Sequence, residues 1–243
     1  WLTSQDNGCY GFDIGSDLAE LLEKVLSIEG DFMVRVGMMN PSYLSRFLDR
    51  LLDMYSDDRI FKFAHIPVQS GSDKVLRDMR RGYTSSEAEE VMQRFRAKYP
   101  NLTLMTDIIV GYPTESEEDF EETLAFIARV EPDHVNVSKF GARPGTEAYK
   151  LKPLPVKLVK ERVKRLNALC SEVSYRRNLC WVGWVGEVLV EEPGLKPRSW
   201  IARNTSYKPI VLRTHEDLLG KRLNVRVVKA YRNFLLATML SSS

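Results

Sequence analysis

"HIPVQSGSDKVLRDMRRGYT", residues 65–84, decides how the chain is read. An apolar run ends in His-Ile-Pro-Val, and a small polar cluster, Gln-Ser-Gly-Ser-Asp, follows. A helical pattern with Val75, Leu76 and Met79 then closes on Arg-Arg-Gly. A buried strand passing into a helix, with Ser70 or Ser72 as the cap, has this form. The same turn has a second use. An amide, a hydroxyl and a glycine at a strand end are groups that hold a small polar ligand.

Similar units recur on both sides. Strands are expected in 32–39 (FMVRVGMM), 61–68 (FKFAHIPV), 102–111 (LTLMTDIIVG) and 134–140 (HVNVSKF), preceded by the stub WLTS. These runs are rich in β-branched and aromatic residues and too short for independent helices. Helix starts lie between them. Asn40-Pro41 offers a cap followed by proline at the first helical position, and Thr84–Glu87 and Thr114–Glu117 each fit a capping box. The strands recur at a spacing of roughly thirty to forty residues, the length of a βα unit. Repeated βα units imply a parallel sheet with helices outside, and such a sheet binds its ligand at the carboxyl ends of the strands. Those ends are Ser4-Gln5-Asp6-Asn7, Met39-Asn40, Pro67-Val68-Gln69-Ser70, Asp107 through Gly111 to Pro113, and Lys139 with Arg143-Pro-Gly-Thr.

The character changes after a basic amphipathic helix expected over 155–179, whose Val156, Val159, Val163 and Leu166 share one face. VGEVLVEE, SWIARNTSYKPIVLR and KRLNVRVVKAYRNFLLATML alternate apolar and polar residues with period two, split by Gly, Pro and Asn turns. A small antiparallel barrel is expected there, giving domains 1–174 and 175–243.

Charge divides the same way. Residues 1–150 carry 17 Lys+Arg against 26 Asp+Glu, whereas 151–243 carry 18 against 7. An acidic body joined to a basic module suits an anionic partner, RNA or DNA foremost. Cys9, Cys170 and Cys180 are too few and too scattered for a disulfide framework, so a reducing, cytoplasmic setting is expected. They also fail the grouping that a zinc or iron–sulfur centre needs, so no metal ligand is assigned. No apolar run approaches the roughly 20 residues that span a bilayer. The chain opens on Trp-Leu-Thr-Ser without an initiator Met and reads as a fragment.

Three blocks, "HIPVQSGSDKVLRDMRRGYT", "TDIIVGYPTESEEDFEETL" (106–124) and "SKFGARPGTEAY" (138–149), resemble the methylthiotransferase family of radical S-adenosylmethionine enzymes. "VGEVLVEE", "ARNTSYKPIVL" and "NVRVVKA" resemble the TRAM domain that closes those proteins. "RVGMMNP" (35–41) and "NVSKF" (136–140) resemble the branch acting on threonylcarbamoyladenosine beside the tRNA anticodon. The resemblance implies an incomplete (β/α)6 barrel followed by a TRAM-like RNA-binding barrel. It also implies S-adenosylmethionine along the strand tops and two 4Fe–4S clusters in the intact protein. The first cluster reductively cleaves S-adenosylmethionine to a radical that activates an aromatic C–H, and the second delivers sulfur. The family's CxxxCxxC loop and N-terminal cysteines have no counterpart here, so this fragment is expected to bind no iron and to be inactive. The expected partner is the tRNA anticodon stem-loop.

On this resemblance the cofactor residues are Gln5, Gln69, Ser70, Gly71, Asp107, Gly111 and Arg143. No catalytic residue is assigned. Asp107, inside an apolar run, costs on the order of several kcal/mol to desolvate unless paired or near an open rim. A structural partner such as Arg35 explains it as well as a ligand does. His65 and His134 are expected to be core residues, and Arg80-Arg81 a helix-terminal pair favoured by the dipole. The RNA-binding candidates are Lys196, Arg198, Arg203, Asn204, Tyr207, Lys208, Arg222 and Arg226, with Tyr207 or Trp200 stacking on a base. Alternatives are a methylthiotransferase for isopentenyladenosine tRNA or a ribosomal protein, and a non-enzymatic RNA-binding protein with a degenerate barrel.

Overall fold

The computed structural model describes residues 1–240. The chain divides into two compact units, Trp1–Cys170 and Ser171–Ser243, the division falling inside the long helix.

In the first unit, α1 (Leu18–Leu26), α2 (Pro41–Leu44) and α3 (Leu48–Met54) precede β1 (Phe63–His65). Then follow α4 (Asp73–Asp78), α5 (Ser85–Lys98), β2 (Thr103–Val110), α6 (Glu117–Val130), β3 (His134–Lys139) and α7 (Val156–Leu179). β1, β2 and β3 pair in parallel in that order. The segment expected as a strand over 32–39 is instead a row of isolated parallel bridges, Leu2 to Val36, Val34 to Ile60 and Met38 to His65. Five parallel segments therefore stand side by side. Burial alternates along β2, where Thr106, Ile108 and Val110 are buried and Asp107 and Ile109 are half-buried. The core between sheet and helices is built from residues such as Leu22, Tyr55, Ile66, Phe95, Phe120 and Phe126.

Local chemistry explains the helix starts. Asn40 accepts from the Ser42 amide, and Thr84 and Glu87 form the expected capping box. The other box sits two residues beyond its expected place. Ser116 caps α6 and Asp119 closes the box, because Asp119 is also held by Ser72 and Lys74, while Glu117 is taken by Arg162 and Arg165. Ser72 precedes α4 but makes no side-chain cap.

The second unit holds β4 (Val185–Pro193), β5 (Ser199–Arg203), β6 (Pro209–Arg213), β7 (Arg222–Ala230) and β8 (Leu235–Met239). They form a closed barrel in the order β4-β5-β6-β8-β7. It is mixed, not wholly antiparallel as expected, since β6 and β8 run parallel. Strand direction cannot alternate all the way round a ring of five, so one parallel pair is unavoidable. Val188, Val190, Ile210, Val225 and Leu235 fill the interior, with Trp181 closing one side.

Candidate functional site

A cleft of about 1500 Å³ lies along the carboxyl ends of the parallel segments. Gln5 reaches it from the first segment, Asn40 from the second, Gln69 after β1, Asp107 from β2, and Asn136 with Arg143 from β3 and beyond. The first wall is pinned by backbone contacts. Asp6 Oδ1 accepts from the Gly8 and Asn40 amides at 2.8 and 3.1 Å, and Asn7 Nδ2 donates to the Met38 carbonyl at 3.1 Å.

Gln69 is the most constrained of these residues. Its φ is +75°, a left-handed conformation that costs a non-glycine residue about 1–3 kcal/mol. Backbone pairing holds it there: its N–H donates to Asp107 O at 2.8 Å and its carbonyl accepts from Ile109 N at 2.9 Å. The side-chain amide has no hydrogen-bond partner among the described residues and lines the cleft.

Asp107 faces the same space. Its Oδ1 accepts from Asn136 Nδ2 at 2.8 Å and lies 3.0 Å from His65 Nε2. Its partner is therefore His65 and not Arg35. Burial pushes its carboxyl up, but the hydrogen bonds and charge from His65 and Asn136 win and hold it below its ordinary value. His65 is thus part of the site's support, and His134, expected in the core, is exposed on the edge strand.

Ser70, Gly71 and Gly111 turn away from the cleft. Ser70 is buried against Thr123. A Cβ on Gly71 would lie 2.6 Å from Thr123 Cα and 2.7 Å from Phe126 Cβ, so this glycine admits α6 rather than a ligand. Gly111, at φ +85°, packs on Val159 of α7 and donates its N–H to Glu115 Oε2 at 3.0 Å.

Arg81 was missed as a cleft residue. α4 ends with Arg81 N bonded to Leu76 O and Arg80 N to Arg77 O, which puts Arg80 at φ +57° where glycine is usual. This turn delivers Arg81 to the cleft wall with its Nε buried and without a partner. The Arg-Arg run was the available signal, but a dipole explanation absorbed it.

In the barrel, the basic candidates separate. Lys208 is buried, with Nζ donating to Asn178 Oδ1 at 2.9 Å, and Asn204 is buried with Oδ1 accepting from Lys208 N at 3.0 Å. Tyr207 is buried too, beneath the Arg203 guanidinium 4.5 Å from its ring centre. Arg203 contacts Glu191 and Arg222 contacts Glu187, both at 3.3 Å. Lys196, Arg198 and Arg226 remain exposed.

A family model for the Radical SAM superfamily matches residues 8–127, and one for the TRAM domain matches residues 181–240. The chain belongs to the radical SAM methylthiotransferase family. It is 45% identical over 241 residues to a probable threonylcarbamoyladenosine tRNA methylthiotransferase of Pyrococcus horikoshii, covering 99% of the chain and 56% of that protein. It is 40% identical over 241 residues to the threonylcarbamoyladenosine tRNA methylthiotransferase of Drosophila melanogaster, covering 99% and 43%. The chain thus spans about half the length of the curated relatives it matches. In fold it is similar to coproporphyrinogen III oxidase of Escherichia coli, a radical SAM enzyme, with a TM-score of 0.52 at 13% identity over 93% of this chain and 56% of that one.

The family implies S-adenosylmethionine and an iron–sulfur cluster. The cleft residues fit the first. Free amides, a carboxylate and a partnerless buried guanidinium Nε are what a zwitterionic nucleoside requires. They do not fit the second. Among the described residues no three His, Cys, Asp or Glu side chains are grouped to hold a metal. Cys9 is exposed at the cleft, and burial pushes the Cys170 thiol up to about 12, far from the thiolate a cluster needs.

Proposed function

We propose that this chain supplies the S-adenosylmethionine cleft and the RNA-binding barrel of a cytoplasmic tRNA methylthiotransferase. Its substrate is N6-threonylcarbamoyladenosine beside the anticodon, which becomes the 2-methylthio derivative. The observation that carries this reading is the meeting in one cleft of Gln5, Gln69 and Asp107, from successive parallel segments, with Arg81 from the turn after α4. The names of the relatives support the substrate.

Within the cleft, Gln69 presents its amide from a backbone held rigid by β2, and Asp107 presents a carboxylate oriented by His65 and Asn136. Arg81 offers a charge-assisted partner to a carboxylate. When bound, S-adenosylmethionine would supply the radical chemistry, and these residues would position it. The whole protein would need 4Fe–4S clusters as well, and no group of three His, Cys, Asp or Glu side chains among this chain's described residues would hold one.

Calorimetric titration with S-adenosylhomocysteine tests the cleft. Binding is expected, and Arg81→Gln should weaken it roughly 10- to 150-fold, the worth of a hydrogen bond to a charged group. No binding to the unaltered chain overturns the reading. Methylthio analysis of tRNA from a strain lacking the gene tests the substrate, and an unchanged threonylcarbamoyladenosine derivative overturns it.

A further inference from the structure

The barrel carries a concavity of its own. Two adjoining depressions of about 450 and 510 Å³ lie between segment 193–199 and segment 213–217, within the roughly 300–1,000 Å³ that suits a single small ligand. Paired ends build it. Ser199 lies opposite Arg213 and Trp200 opposite Leu212, the Thr214 amide donates to the Arg198 carbonyl at 3.1 Å, and Gly194 N donates to Ser199 O at 2.8 Å. Ser199 Oγ closes the first segment on the Lys196 carbonyl at 2.6 Å.

Two features give this hollow a chemical character. Trp200 forms part of the wall, half-buried against the barrel core, with its Nε1 donating to the Glu216 carbonyl at 2.9 Å. The ring is thereby fixed in plane, as a stacking platform must be. Lys196, Arg198 and Arg213 stand around it, exposed, and among the described residues none of them pairs with a carboxylate. Arg198 is held at φ +61°, an unfavourable backbone for a side chain larger than glycine. Of the two acids on the wall, Asp217 turns its Oδ1 back to the Leu219 amide at 3.1 Å.

We propose that this hollow is a nucleotide site: it takes one unpaired RNA base against Trp200, with the flanking phosphates on Lys196, Arg198 and Arg213. The proposal rests on the RNA-binding reading of the barrel and adds to it a place and a preference for unpaired over duplex RNA. A base already stacked in a helix presents no free face to the indole, whereas its phosphates remain open to the cations.

The test measures fluorescence anisotropy of two labelled RNAs, an unstructured oligouridylate and a blunt, fully paired duplex, against the whole chain. Trp200→Leu should weaken the oligouridylate roughly 5- to 100-fold and leave the duplex within about twofold. Arg198→Gly, which suits the backbone and removes the exposed side chain with its charge, should weaken both RNAs. It should also lower the slope of log affinity against log salt by about one ion. Its Tm should not fall, which separates a lost contact from a lost fold. Equal loss of both RNAs in Trp200→Leu, or none in either variant, overturns the nucleotide site. If the unaltered chain binds neither RNA, the RNA-binding reading itself fails.

Discussion

Replacing Arg162 with Met tests what holds the turn at the end of β2, beside the cleft. Arg162 on α7 is almost fully buried and donates through Nη1 to Glu115 Oε2 at 2.7 Å and to the Glu115 carbonyl at 3.1 Å. Its other nitrogens reach Glu117 at 2.9 and 3.1 Å. Glu115 Oε2 in turn accepts from Gly111 N, at the turn that follows β2. Burial already raises the Glu115 carboxyl despite Arg162 and the Gly111 amide. Without Arg162 the buried carboxylate keeps only the Gly111 amide and no countercharge, and it escapes by taking a proton. For a carboxyl of ordinary value 4.5, taking a proton at pH 7 costs about 3 kcal/mol. Glu117, half exposed, rehydrates and adds little. The variant should therefore lose about 3 kcal/mol at pH 7, matching the usual loss on breaking a buried pair, but only about 1 kcal/mol at pH 5. The sign follows from linkage: a carboxyl whose folded value lies above its unfolded one binds more protons when folded, so stability falls as pH rises. Urea unfolding at both pH values measures this, with the slope m checked for constancy. Glu115→Gln combined with Arg162→Met removes the titrating group and should show no such pH dependence. A deficit equal at pH 5 and pH 7, or below about 1 kcal/mol at pH 7, refutes the clamp.

Three further outcomes are expected. Gly71→Ala forces a methyl against Thr123 and Phe126 and should cost about 1–3 kcal/mol by overpacking; an unchanged urea midpoint contradicts the helix-contact role. Asp119→Asn should be destabilised at neutral pH, because Lys74, Ser116 and Ser72 hold that carboxyl well below its ordinary 3.8 despite burial. Since the folded value is the lower one, that stability is lost as pH falls below 3.8, so thermal melts of the two proteins should converge in acid. Lys208→Met should cost about 1–3 kcal/mol by taking the donor from Oδ1 of buried Asn178 while leaving the salt dependence of RNA binding unchanged; a reduced slope would return Lys208 to the RNA surface.

The parallel sheet, α7, the Thr84 capping box and the barrel's existence were legible because periodicity and capping act over a few neighbouring residues. What escaped was which way a residue faces at a strand end. Gln69, Ser70 and Gly71 are consecutive, yet Gln69 enters the cleft and the next two pack on α6. The reversal comes from the left-handed backbone at Gln69, a conformation that glutamine does not advertise. Arg80 is the same case: its positive φ turns Arg81 into the cleft, and the residue type carries no trace of it. Capping was ambiguous for another reason. Thr114–Glu117 and Ser116–Asp119 are overlapping frames with the same local chemistry, and distant Lys74 and Arg162 choose between them.

Gly111 shows why composition alone over-assigns ligand contacts. A glycine in a turn at the ligand end of a strand suggests that something approaches the backbone closely, and something does. It is Val159: a Cβ at Gly111 would lie 2.7 and 2.9 Å from its two γ-methyls. A valine rotates, so crowding alone would be tolerable; the φ of +85° is the stricter demand. That conformation aims Gly111 N at Glu115, and Glu115 is fixed by Arg162. The glycine therefore serves the cleft indirectly, by letting the chain leave β2 at an angle that α7 then locks, so that Tyr112 and not Gly111 itself lines the cleft.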